Sequence, residues 1–217
     1  MSRGSRIAAV LVGTVIGVLL ITYYIDAYVG NTPPAVQAAT VNGQTKLTLQ
    51  TVPSYGHAPH PDWVTYMVMN AQHHWVHSTI FDVPANTVVH VTIYNFDGAS
   101  GLRNPFWAQP RGVSGYSVNG RQRPRIYQAS TSHTFAIPDL GISVPLPGVP
   151  GSAPNQCGAT PCSHETNGHM TVTFTFRTGK PGYFRWQCFV PCAAGYLNGF
   201  GGPMQTMGYM GGYLHVT

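Results

Sequence analysis

Phe81-Asp-Val-Pro-Ala-Asn-Thr-Val-Val-His-Val-Thr-Ile-Tyr-Asn-Phe-Asp97 is a turn followed by a strand in which apolar and polar side chains alternate. Val89, Val91 and Ile93 fall on one face and His90, Thr92 and Tyr94 on the other, the period of a strand with one side in a core. Working outward, similar short runs bounded by turn residues predict strands at 45–52, 63–70, 76–83, 88–96, 114–118, 125–129, 132–137, 170–175, 182–187 and 212–216. Only 8% of residues are charged, and 25 Gly and 18 Pro punctuate stretches rich in Val, Thr, Ile, Tyr and Phe. With no fixed-period repeat and no helical pattern after the first segment, the expected class is all-β, a Greek-key sandwich or barrel.

The exception is Ile7 to Ile25, nineteen uncharged and mostly apolar residues. As a helix this run spans about 28 Å, close to the hydrocarbon thickness of a bilayer. Arg3 and Arg6 precede it and no basic cluster follows, which places the N-terminus in the cytoplasm and the rest outside. A cleaved signal peptide is the competing reading, but the run exceeds the usual apolar region of about 7–15 residues. The predicted organisation is therefore an anchor over 1–28, a Pro- and Ala-containing tether over 29–44, and one extracytoplasmic domain over 45–217.

A net charge of +5 raises the question of a polyanionic partner, yet no basic helix and no interleaving of basic and aromatic residues is present. Nucleic acid is excluded on that basis. Arg121, Arg123 and Arg125 alternate, so two readings stand for them: a solvated edge strand, or a docking face for an acidic protein or anionic lipid. Enzymatic chemistry by the chain alone finds no nucleophile elbow, no phosphate loop and only six carboxylates. An electron-transfer subunit of an oxidoreductase complex remains open.

Two segments carry metal-ligand chemistry: His133-Thr-Phe-Ala-Ile-Pro-Asp-Leu-Gly-Ile142 and Gly182-Tyr-Phe-Arg-Trp-Gln-Cys-Phe-Val-Pro-Cys192. A histidine at a strand edge and a Cys-x-x-x-Cys loop after an aromatic strand supply one imidazole and two thiolates, a set that suits copper. Their order and flanking residues resemble the soluble domain of cytochrome c oxidase subunit II, which holds the binuclear copper centre CuA, and the 81–97 segment looks like an early strand of the cupredoxins. The resemblance runs over roughly residues 81–216 and implies a cupredoxin-like fold with His133, Cys188 and Cys192 as copper ligands and Val190 offering its carbonyl. Where many cupredoxins place a histidine soon after the strand, Gly98-Ala-Ser-Gly-Leu-Arg-Asn104 has none.

The family pattern also calls for a histidine four residues after the second cysteine and a methionine three further on, where this chain has Tyr196 and Gly199. A phenol is a poor substitute for imidazole on a soft thiolate centre. The loop instead carries Met204, Met207 and Met210. Met204 and Met207 are candidate thioether ligands, giving a CuA-like or a variant mononuclear site that favours Cu(I); the other reading makes them gap-filling core residues.

In an oxidising compartment Cys157 and Cys162 are assigned a disulfide, and Cys188 with Cys192 divides among copper, a second disulfide and free or transient thiols. His57, His60, His73, His74 and His77 form a His-rich stretch in which His73 and His77 are candidates for a second metal, although structural or exposed roles are commoner. His164 and His169 beside Glu165, and His215 at a strand end, carry weaker signals. The reading that follows is a single-pass protein of the cell membrane whose copper domain exchanges electrons with a redox protein or terminal oxidase. Alternatives are a metal-free accessory subunit and a Cu(I) delivery protein.

Overall fold

The computed structural model describes residues 2–29, 32–58, 60–192 and 202–217. It divides into two units, Met1–Thr32 and Pro33–Thr217. The first holds α1 (Arg3–Tyr24), whose cap Ser2 accepts a hydrogen bond from the Ser5 N–H at 3.2 Å, followed by a π-helical turn at Ile25–Val29. Arg3–Ala27 is long and apolar enough to cross a membrane, and its large side chains from Ile7 to Ile25 are exposed.

The second unit is a two-sheet β-sandwich. One sheet has the order β1 (Ala35–Gln37), β6 (Ile80–Val83), β14 (Gly211–Val216), β13 (Gly182–Gln187), β10 (Thr131–Ile137), β11 (Ile142–Pro147). The other runs β5 (Trp75–Val76), β4 (His60–Met69), β3 (Gln44–His57), β7 (Val88–Asn95), β12 (Met170–Arg177), β8 (Ser114–Val118), β9 (Arg121–Gln122), with β2 (Ala39–Val41) on β3. The alternation read from the sequence is realised in β7: Val89, Val91, Ile93 and Asn95 are buried and their neighbours face outward. That strand is central, parallel to β3 and antiparallel to β12. Its buried face meets Phe81, Phe135, Trp186 and Leu214 of the other sheet in one continuous core. The all-β sandwich behind a single helix is as predicted.

Four local expectations are corrected. Residues 35–41, read as tether, contribute β1 and β2, because Val36 and Ala38 are apolar enough to be buried and β1 pairs in parallel with β6. The predicted strand 76–83 is two strands in different sheets, joined by buried Ser78 and Thr79. Residues 125–129 are not a strand; a 3-10 turn at Gln128–Ser130 stands there, and Arg121, Arg123 and Arg125 are all exposed. β11 was not among the expected strands, and it carries Pro145 and Pro147. It is an edge strand, where a missing N–H costs no ladder bond.

One irregularity of the first sheet makes room for the site. β13 pairs with β10 only at Ala136↔Gln187, after which the chain leaves the ladder. The upper half of β10 therefore has no strand on that side, and residues 188–192 cross beside it.

Candidate metal centre

His133 is the third residue of β10, is 3% exposed, and shares its parity with the core residues Phe135 and Ile137. It lies near the start of β10, in the half with no strand on the β13 side, and is buried rather than exposed there. Its Nδ1 lies 3.2 Å from Cys192 Sγ and 3.8 Å from Cys188 Sγ, and the two sulfurs are 3.3 Å apart as free, buried thiols. Among the described residues, these three side chains form the only group of three or more His, Cys, Asp or Glu with ligand atoms close enough to share an ion, all within 4.8 Å. The Val190 carbonyl oxygen completes the cluster, 2.9 Å from Cys192 Sγ and 3.5 Å from Cys188 Sγ.

The backbone fixes each donor. Cys188 N–H donates to Met210 O at 2.8 Å, tying the end of β13 to the chain entering β14. Thr134 N–H, left over where β13 departs, donates to Cys188 Sγ at 3.3 Å. Thr134 Oγ1 accepts the Phe189 N–H at 2.8 Å, which sets the first bend of the loop. Trp186, fully buried just before Cys188, is held by its Nε1–H on Thr79 O at 2.9 Å and packs against Phe81, Phe135 and Tyr66. Water is kept from the thiols on that side.

Asp97 is the residue of this cluster that the sequence reading missed. It follows β7, and its Oδ2 lies 3.0 Å from His133 Nε2 while its Oδ1 accepts the Gly98 N–H at 2.7 Å. Buried Asn95 anchors that corner, donating to Pro147 O at 2.8 Å and to Asp97 O at 3.2 Å and accepting from Thr51 Oγ1. With the ring neutral, as a metal ligand must be, the Asp97 carboxylate would hold the proton on Nε2 and turn the Nδ1 lone pair to the sulfurs, the arrangement that orients a metal-binding histidine. A signal was available: Asp97 is one of only six carboxylates and closes the strand that decides the fold.

Charges in the metal-free cluster follow from these contacts. Burial opposes a charged His133, but the Asp97 hydrogen bond and the Cys188 sulfur outweigh it and raise the imidazole to about 9. Burial likewise penalises the Cys188 thiolate, yet hydrogen bonds from Cys192 and His133 hold it well below its ordinary value, while burial and the Cys188 charge push Cys192 up. Asp97, desolvated but bonded to His133, stays below the usual carboxylate range.

A pH prediction follows for the reduced, metal-free protein. His133, raised, contributes stability that is complete below about 6.5 and lost as pH rises through about 9. Cys188, lowered, contributes stability complete above its ordinary 9.0 and lost as pH falls through its folded value. Between these limits the two slopes oppose, and the thermal midpoint is expected to be nearly flat. Cys188→Ser leaves the His133 slope, maintained by Asp97, so its midpoint should fall with rising pH across that window. A flat midpoint in the variant would show that His133 carries no charge.

The remaining candidates sit elsewhere. Met204 is buried in the core cluster that also contains Cys188 and Cys192; Met207 is half-buried and outside that cluster. Tyr196 and Gly199 lie outside the described residues. Cys157 and Cys162 form the expected disulfide. His73 is exposed in a turn at φ 62°, His77 stacks on Tyr55 with ring centres 4.1 Å apart and meets Tyr209 edge-on, and neither belongs to the three-residue cluster. His164 and His169 pack on Tyr94, and His215 pairs with Asp82 at 3.0 Å.

No family model matches the chain, and no curated protein matches it. Among the solved structures that align with it are reduced rusticyanin and the copper protein rusticyanin, over 91% and 92% of this chain and 95% and 94% of theirs. Sequence identity is 12% and 13%, with TM-scores of 0.36 and 0.32. Likeness at that level decides nothing about this chain, whose fold rests on the strand order and burial described above.

Proposed function

We propose that this chain is a membrane-anchored, extracytoplasmic copper-binding protein of cupredoxin type that carries electrons to or from a membrane redox complex, as the subunit II-like motifs imply. The observation that supports it most is the convergence of Cys188, Cys192 and His133 Nδ1 in a buried cluster, with Nε2 engaged by Asp97. Two thiolates and an imidazole fit copper, and soft sulfur favours its lower oxidation state. Copper bound there supplies a one-electron couple. The chain's contribution is rigidity: β10, the Cys188–Met210 backbone bond and the Thr134 contacts hold the donors in place through a change of charge. Met204 is proposed as a further thioether donor, and Met207 as a lesser one. Arg3–Ala27 serves as the anchor, with Arg3 and Arg6 on the cytoplasmic side.

The separation of the two sulfurs favours one second reading. At 3.3 Å they are within a small rotation of bonding, and oxidised they would leave a metal-free accessory subunit. The deciding experiment loads the full chain, in lipid nanodiscs, with copper under reducing conditions. Retained copper, thiolate-to-copper absorption and a reversible one-electron wave are expected. No retained copper together with a Cys188–Cys192 disulfide would establish the second reading. Bound copper that stays colourless and never cycles would point to Cu(I) delivery.

A further inference from the structure

The 3-10 turn Pro105–Ala108 packs on β10 and β11 and carries Phe106 and Trp107 to the outside of the cysteine loop. Trp107 stacks on Phe189, ring centres 5.4 Å apart and planes within 11°. Phe189 directly follows Cys188 in the chain. Phe106 and Phe189 are 41% and 38% exposed, so the aromatic surface nearest the thiols faces solvent. Together with Arg111, Pro138 and Ile142, these rings line a hollow of about 300 Å³. On the other side of the same turn a second hollow, of about 450 Å³, is lined by Pro105, Gln109, Arg125 and Tyr127, the last 69% exposed. Grouped aromatic exposure of this kind marks contact surfaces.

The charge on this segment has one sign. Between Asp97 and Asp139 the chain has five arginines, Arg103, Arg111, Arg121, Arg123 and Arg125, and no acid. All five are exposed. The Arg111 guanidinium lies 4.4 Å above the Phe106 ring, and its backbone exchanges hydrogen bonds with Ser143 at 2.8 and 3.0 Å. Ile126 N–H donates to Ala108 O at 2.9 Å, which keeps Arg125 beside the turn. The nearest acids in sequence act differently: Asp97 is engaged by His133, and Asp139 is an exposed residue next to Pro138. Arginine forks match carboxylates in pairs, and recessed aromatic hollows fit protruding side chains better than a flat lipid surface.

We propose that this arginine-rimmed aromatic face docks an acidic one-electron redox protein, with the Trp107–Phe189 stack as the point of contact leading to Cys188. In each encounter one electron passes between the partner's centre and the bound copper; one is oxidised, the other reduced, and no atom is transferred. The electron step rests on the copper reading above, whereas the docking itself does not.

The test uses the full chain in zwitterionic nanodiscs, with and without copper. A small acidic c-type cytochrome is the probe, and a basic cytochrome c of similar size the control. Arg111→Glu with Arg125→Glu, and the milder pair Arg111→Gln with Arg125→Gln, are compared with the parent by calorimetry at several salt concentrations. Binding of the acidic cytochrome is expected to weaken at least tenfold in the reversed pair, several-fold in the neutral pair, and with rising salt, whether or not copper is present. The basic cytochrome should bind the reversed pair better than the parent. Trp107→Ala is expected to slow electron transfer at saturating cytochrome about tenfold. Acidic cytochrome bound equally by all variants would overturn the proposal. So would arginine-dependent binding to phosphatidylglycerol vesicles with none to the cytochrome. If copper is never retained but arginine-dependent docking persists, the docking stands and the copper reading falls.

Discussion

Cys188→Ser is expected to remove the thiolate-to-copper absorption completely and to reduce retained copper to background. Cys188 Sγ lies within 3.8 Å of His133 Nδ1 and 3.3 Å of Cys192 Sγ and accepts the Thr134 N–H, so it faces every other donor of the cluster. A serine hydroxyl at that place is a hard donor that stays protonated at neutral pH, and soft copper has little affinity for it. The fold should survive, because Ser is close in size and can still receive the Thr134 N–H. A cost of about 1–3 kcal/mol is expected from a buried hydroxyl in a poorer position. Copper per chain and the visible spectrum read the first effect, and thermal melting the second. Replacing Cys157 and Cys162 together, whose disulfide lies in a separate satellite core, should leave the colour unchanged. A Cys188→Ser protein that keeps both copper and absorption would place the metal elsewhere.

The second large effect is expected at a residue that is not a ligand. Asp97→Asn keeps the shape of the corner but removes the charge facing His133 Nε2 at 3.0 Å. Loss of such a partner typically weakens metal binding about 10–100-fold. The same substitution should lower the His133 pKa from about 9 in the metal-free protein, because burial, which disfavours the charged ring, then meets less opposition. Competition against a Cu(I) chelator measures the affinity, and proton NMR of the ring the titration. If both stay at their parental values, Asp97 is only a surface cap on the Gly98 N–H and has no part in the centre.

Much of the site was legible because its chemistry is written in short, contiguous motifs. Cys188 and Cys192 are four residues apart on one loop, and Val190 between them turns its carbonyl inward. His133 could be singled out because residue types and order around it are specific, although its depth in the sandwich was not foreseen. The sequence marked Asp97 as a scarce carboxylate but could not pair it with His133, since the two are 36 residues apart and belong to different sheets, Asp97 just after β7 and His133 within β10. Neither residue's local pattern encodes the other. The alternation at 121–125 suggested one strand face, solvated or docking, whereas only Arg121–Gln122 is strand and Arg125 lines the hollow beside the turn at Pro105–Ala108.

By itself the sequence determined what depends on periodicity and composition. The run from Ile7 to Ile25 had to be a helix, and the alternation of Val89, Val91 and Ile93 had to be a strand with one face in a core, because burial of apolar area acts residue by residue along a regular backbone. The residue types able to hold a soft metal were equally plain. Only the tertiary structure decided which strands are neighbours, that Pro145 and Pro147 are tolerated in an edge strand, and that β13 leaves β10 just where Cys188 needs space. It alone set the Asp97 carboxylate against His133, because a contact of that kind is fixed by the packing of two sheets and not by any local preference of the chain.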